Sequence, residues 1–164
     1  MTLVFLDTET TGLDPERHEV WELAYAVDDG PICSSKVHHS LRNADPTALL
    51  MNGYLSRPDS LPLDQIRLES DAQGVLVGAT LVGANPAFDA GFLRARWGVA
   101  PWHYRLFDVE AYAAGVLGWD GPKGLAAIRA ALADDYDIPA PDHTAAGDVA
   151  TLRACFYALR KSMS

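Results

Sequence analysis

The sequence predicts a single α/β domain over residues 1–164, built on a mixed five-stranded sheet with three antiparallel strands, then parallel strands, flanked by helices. Three observations carry this expectation. Apolar runs of strand length follow one another closely near the start of the chain. Further on, such runs alternate with segments of helical periodicity. The chain then ends in an apolar stripe with steps of three and four, at Ala145, Val149, Leu152, Phe156, Leu159 and Met163.

The first strand is the apolar run 3–6, which continues into Asp7-Thr8-Glu9-Thr10-Thr11-Gly12. Successive side chains on a strand face opposite ways, so Asp7 and Glu9 share a side and Thr8 takes the other. Residues 12–19 read as a turn. Residues 20–27 and 32–38 form two more strands, and the break Asp28-Asp29-Gly30-Pro31 between them reads as a hairpin. Residues 44–57 form a short helix with Pro46 at its start. Residues 56–63, carrying Pro58 and Pro62, read as a loop inside the domain.

A helix over 68–78 leads into the fourth strand at 80–83. Asn85 then reads as a natural N-cap with Pro86 at the first helical position, which puts Asp89 on the opening turns. Residues 104–109 are the fifth strand. Helices over 110–117 and 124–134, separated by a turn at 118–123, complete the layout before the final helix.

Chemistry concentrates at three places. Two carboxylates side by side on a buried strand repel each other and lose hydration unless a cation sits between them. Asp7 and Glu9 therefore point to a divalent metal of the magnesium or manganese type, which takes hard oxygen ligands. Read alone, the pair would equally serve to cap the turn at Gly12. Asp89 is the second place, and by itself it reads first as an acid favoured by the helix dipole. The third is His143 with Asp148. At a hundred degrees per residue, Asp148 falls at the edge of the apolar stripe, where the helix meets the sheet. His143 precedes that helix on a loop able to overhang the same place.

Asp7-x-Glu9, Asn85-x-x-Phe88-Asp89-x-x-Phe92-Leu93 and His143-x-Ala145-x-x-Asp148 resemble, in order and spacing, the three motifs of the DEDDh (DnaQ-like) 3′–5′ exonucleases. A variant of that family carries Tyr four residues before the last Asp. Thr144 stands there in this chain, so the His version fits. The resemblance spans nearly the whole chain and implies a ribonuclease H-like fold. It implies that Asp7, Glu9, Asp89 and Asp148 hold two divalent ions, Mg²⁺ or Mn²⁺, which activate a water and stabilise the leaving oxygen. His143 would act as general base, its ordinary pKa of about 6.5 suiting proton abstraction near neutral pH. The substrate implied is the 3′ end of DNA or RNA, single-stranded or short. Thr10, Thr11, Gly12 and Leu13 would contact the terminal nucleotide, with Leu13 either an apolar wedge against the base or an ordinary core residue. Asn85 and Phe88 join them as expected substrate contacts.

Residues 12–17 and His103-Tyr104-Arg105-Leu106-Phe107-Asp108-Val109 are similar to segments of oligoribonucleases, which trim short RNA as homodimers. Thr10-Thr11 is instead similar to proofreading subunits and ribonuclease T, so a homodimer and a polymerase or other delivery partner both stand as expectations. Two other classes share features. A haloacid-dehalogenase-type phosphatase has an Asp-x-Asp nucleophile motif with a later Thr, resembling Asp7-x-Glu9-x-Thr11, but the third position here is Glu and the His143/Asp148 pair would have no task. A non-catalytic module binding nucleic acid or a polymerase would need no complete set of acids.

Composition limits the rest. The net charge of −9 opposes binding of long polymers, which rests on clustered Lys and Arg. Two divalent ions would take −9 to −5, with their charge where the phosphate goes. A firm hold on one or two terminal nucleotides is the expectation. Cys33 and Cys155 form no close pair, which argues against a disulfide framework or zinc site. No charged leader and no membrane-length apolar run is present, so a cytoplasmic chain without membrane contact is expected. Asp108 reads as a strand-end residue or as a fifth acid near the metals. Among the tryptophans, Trp102, beside His103, reads as the most exposed.

Overall fold

A computed structural model describes residues 2–57 and 65–163. β1 (Leu3–Thr10) is the central strand. It pairs antiparallel with β2 (Val20–Val27) on one side and parallel with β4 (Thr80–Gly83) on the other. β3 (Cys33–Lys36) extends the antiparallel side and β5 (Phe107–Asp108) the parallel side, giving the order β3-β2-β1-β4-β5. This is the mixed five-stranded sheet expected from the sequence.

Helices cover both faces. α1 (Pro46–Met51), followed by a single 3₁₀ turn at Tyr54–Ser56, lies between β3 and α2 (Gln65–Leu76) in the chain. α3 (Pro86–Trp97) follows β4. α4 (Val109–Leu117), α5 (Leu125–Leu132) and α6 (Ala145–Ser162) close the chain. The alternation along β1 sends Val4 and Leu6 into a core with Leu81, Leu76, Phe92 and Leu93, and Phe5 into a second core with Val82, Ile128, Leu152 and Phe156. Phe5 and Leu6 are fully buried, each side chain contributing about 1.5–3 kcal/mol of hydrophobic stabilisation.

Several boundaries differ from those read off the sequence. β1 does not stop at Leu6 but runs to Thr10, because the ladder to β2 continues through Asp7↔Ala24, Thr8↔Leu23 and Glu9↔Glu22. The acids therefore lie within the strand. β3 ends at Lys36, so His38 and His39 fall beyond it. Residues 104–106 are not strand, and β5 is confined to Phe107–Asp108 at the sheet edge. The helix expected at 44–57 shortens to α1 and the 3₁₀ turn, with Gly53 between them in the left-handed region (φ 65°). The expected loop at 56–63 lies mostly outside the described residues. Met163, placed on the α6 stripe by periodicity, is 66% exposed, since α6 ends at Ser162. Trp102 is buried beside Trp97, with ring centroids 6.4 Å apart, rather than exposed. Among the described residues, no helix is long and apolar enough to cross a membrane.

Candidate active site

β4 pairs with β1 only as far as Phe5↔Val82, so the amide of Thr8 emerges beyond the end of β4 with no strand to receive it. Asp89, on the first turn of α3, takes that place. Its Oδ1 accepts from the Thr8 amide at 3.0 Å and from the Thr8 hydroxyl at 2.7 Å. Asp89 is 3% exposed, so these bonds replace water that a buried carboxylate has lost. α3 can start there because Pro86 fits a first turn and crowds Gly83, where an added Cβ would stand 3.0 Å from the Pro86 Cβ. Asn85 does not cap α3 as expected. Its backbone is left-handed (φ 56°) and its side chain makes no cap hydrogen bond, which leaves that side chain exposed beside the strand end.

On the other side of β1, Asp7 and Glu9 meet Asp148 from the first turn of α6. Each of the three offers a carboxylate oxygen, and those oxygens lie within 4.8 Å of one another. Asp89 is not a member of this trio, though among the charged groups it raises Asp7 most. Thr144 caps α6, its hydroxyl accepting from the Gly147 amide at 2.9 Å. Asp142 N–H donates to Asp148 Oδ1 at 3.2 Å, and Asp142 Oδ1 accepts from the Thr144 amide and hydroxyl at 3.0 and 2.7 Å.

This concentration of acids is electrostatically unfavourable without a cation. Burial, then Asp89, Glu9 and Asp148, push Asp7 well above the usual carboxylate range. Burial, Asp148 and Glu22 raise Glu9 to about 8, with Arg57 pulling the other way. Burial raises Asp89 to about 7 against the pull of its two bonds from Thr8. Burial also raises Asp148, which its Asp142 bond and the nearby His143 hold back. Four carboxyls shifted one way in one place make this the candidate functional site on physical grounds.

His143 stands at the rim, exposed, with φ 57°. A left-handed backbone at a residue other than glycine costs on the order of 1–3 kcal/mol and persists where its surroundings enforce it. The strip after β1 is more internally committed than the sequence implied. Thr10 Oγ1 donates to the Gly12 carbonyl at 2.7 Å, and Thr11 Oγ1 accepts from the Glu19 amide at 2.9 Å. Both hydroxyls shape the turn, and the Thr11 main chain is committed as well, its amide donating to the Glu19 carbonyl at 2.8 Å and its carbonyl accepting from the Asp45 amide at 2.7 Å. Gly12 is packed beneath His18, whose ring would lie 2.4 Å from an added Cβ. Leu13 is 75% exposed, which removes the core alternative for it. Phe88 is half-buried against Phe92 at 4.8 Å. Asp108 is structural. It caps α4 through bonds from Glu110 N (2.9 Å) and Ala111 N (3.3 Å), and it accepts from Asn85 N at 3.4 Å.

Two residues at the site were missed in the sequence. Glu22 faces Glu9 across the β1–β2 ladder, and Arg57 pairs with it. Glu22 carried one signal, a lone acid inside the apolar run 20–27. Arg57 carried none, because its partners are distant in sequence.

The fold is shared with known nucleases. A product-bound structure of exonuclease I aligns with a TM-score of 0.73 at 16% identity, covering 98% of this chain and 43% of that one. E. coli exonuclease I in complex with a dA16 oligonucleotide gives 0.71 at 18% identity, over 98% and 41%. Brucella melitensis NrnC gives 0.59 at 19%, over 98% and 73%. The chain thus spans about two-fifths of the length of exonuclease I. No protein-family model and no curated protein matches the sequence.

Proposed function

We propose that this chain is a divalent-metal-dependent 3′–5′ exonuclease that releases nucleoside 5′-monophosphates from single-stranded or short nucleic acid. One observation carries the reading: Asp7, Glu9 and Asp148 bring carboxylate oxygens within 4.8 Å of one another, with Asp89 beside them, on a fold shared with exonuclease I. The donors fit the group. All are hard oxygens, and all four carboxyls are raised in the absence of a cation, as ligands awaiting Mg²⁺ or Mn²⁺ would be. Asp7, Glu9 and Asp148 would hold the ions, with Asp89 completing the set next to Asp7. Two bound ions would supply activation of a water and charge stabilisation at the leaving oxygen.

The chain's own residues do the rest. His143 takes the proton of the attacking water, a general-base task worth roughly 10²–10⁴-fold. Its rim position leaves it open to the substrate phosphate side and to bulk proton exchange. The strip 10–12, held rigid by the two threonine hydroxyls and by the main-chain bonds of Thr11 to Glu19 and Asp45, receives the terminal nucleotide. Leu13 presses on the base as an exposed apolar side chain, and Asn85 and Phe88 supply further contacts to the substrate. The net charge of −9 gives no extended basic track, so only the terminal nucleotides are gripped and long duplex is a poor substrate.

The test is a 5′-labelled single-stranded oligonucleotide incubated with and without Mn²⁺ and resolved on a gel. Stepwise shortening that requires the metal is expected. Loss of a terminal phosphate without a ladder would assign a phosphatase instead, and binding without cleavage a non-catalytic module. Short DNA and RNA of equal length, run side by side, decide the sugar.

A further inference from the structure

Arg57 occupies a position between the metal-facing acids and the general base that neither its sequence context nor the resemblance assigns. Its Nη1 pairs with Glu22 Oε2. Its Nη2 donates to the Asn52 carbonyl at 2.9 Å and to the His143 carbonyl. Glu22 Oε2 in turn accepts from the amide of Ala145 at 3.2 Å. The Glu22–Arg57 pair therefore grips the chain on both sides of Thr144, by the carbonyl before it and the amide after it. Those two contacts help enforce the left-handed backbone of His143.

A local irregularity in β2 makes this possible. The β1–β2 register passes from Glu9↔Glu22 to Thr10↔Val20, leaving Trp21 as an extra residue. Such a bulge turns neighbouring side chains toward one side of the strand. Accordingly Arg57 reaches Glu22 while its guanidinium lies over the Trp21 ring, 4.9 Å from the centroid. A planar guanidinium with several N–H donors can stack on a ring and bond a carboxylate and two carbonyls at once, whereas an ammonium is a point charge without that fork.

On the substrate side, the side-chain amide of Asn52 donates to the Thr10 carbonyl at 2.9 Å. A continuous path thus runs from the Thr10–Gly12 strip through Asn52 and Arg57 to the backbone of His143. The geometry points to Arg57 as a positioning residue that sets the pose of His143 and ties it to the strip receiving the terminal nucleotide. It is neither a metal ligand nor a group that touches the reacting atoms. This inference rests on the reading of His143 as general base.

The test is a double-mutant cycle of Arg57→Lys and His143→Ala in the full chain, with steady-state kinetics on a 5′-labelled single-stranded oligonucleotide in Mn²⁺. Arg57→Lys keeps a positive charge near Glu9 and Glu22 and loses the fork. Misplacement of a catalytic group by about an ångström lowers turnover by roughly 10²-fold, so kcat should fall by about 10–100-fold with KM within about threefold. The same substitution made in His143→Ala should cost nothing further. The rise in Tm on adding Mn²⁺ should be unchanged, since no ligand is lost. An equal loss of kcat in both backgrounds, a rise in KM at constant kcat, wild-type kinetics or a lost Mn²⁺ response would each overturn the inference alone. His143→Ala running at the wild-type rate would overturn the base reading and this inference with it. Arg57→Gln carries the same cycle if Arg57→Lys lowers the folded fraction.

Discussion

Thr8 and Asp89 are 81 positions apart, yet one carboxylate oxygen of Asp89 receives both the amide and the hydroxyl of Thr8. The bond from the amide stands in for the strand pairing that β4 no longer provides. The bond from the hydroxyl exists only because position 8 carries a hydroxyl side chain. Thr8→Val keeps the shape and removes that donor from a buried carboxyl, so stability should fall by about 1–3 kcal/mol, while Thr8→Ser retains it. Urea midpoints of the metal-free proteins measure this, and equal midpoints for Val and wild type would show the hydroxyl bond to be immaterial.

Asp7 is repelled by four other carboxyls, those of Asp89, Glu9, Asp148 and Glu22, so its removal should separate activity from stability. Asp7→Asn and Asp148→Asn are expected to abolish turnover. The metal-free folded protein should be as stable as wild type or more so, because a repelling charge is gone. Calorimetry of the chelated proteins beside gel assays tests both halves. Residual laddering in either variant would remove that residue from the essential set.

The shifts at Glu9 and Asp89 fix the sign of a pH effect. Their folded values, about 8 and about 7, lie above unfolded values near 4, so the folded chain binds these protons more tightly. Their contribution therefore favours folding at low pH and is lost as pH rises through about 7 to 8. In chelator, Tm should fall between about pH 5.5 and 8.5. Mn²⁺ replaces the protons, so its stabilising shift should be larger at the upper end. A flat Tm in chelator would contradict the raised values.

His143→Ala should lower kcat by roughly 10²–10⁴-fold with the Mn²⁺-induced rise in Tm intact. Wild-type rates in this variant from about pH 6 to 8 would remove His143 from the role of base.

Gly147 is held to glycine by the loop that carries His143. A Cβ there would stand 2.1 Å from Asp142 Oδ1, the atom that receives the Thr144 amide and hydroxyl. Asp142 is flexible enough to swing aside, so Gly147→Ala should fold with a loss of about 1 kcal/mol or less in stability. The turn before α6 would be undone, and kcat should fall well beyond what that small loss accounts for. Normal kcat would show that the Asp142 turn does not matter to His143.

Much of this molecule was written locally. The two-residue alternation of 3–10 is enough to put Asp7 and Glu9 on one side and Thr8 on the other. The step pattern of α6 is enough to bury Val149, Leu152, Phe156 and Leu159 and bring Asp148 to the sheet. Proline and asparagine at 85–86 mark where α3 begins, although Asn85 serves there through its left-handed backbone and not through a cap. Hydrophobic period and chain punctuation act over a few residues, so a sequence displays them directly.

Contacts between distant segments were decided only by the tertiary structure. That Thr8 bonds Asp89 depends on β4 pairing with β1 only as far as Phe5↔Val82. That Glu22 and Arg57 clasp the start of α6 depends on a bulge at Trp21 and on a 3₁₀ turn delivering Arg57 from 35 positions away. Trp102 and Met163 likewise took their burial from neighbours that no local pattern names. Side-chain periodicity says which face a residue occupies. What it meets there is set by where the strands end and how the helices pack, and those depend on the whole chain at once.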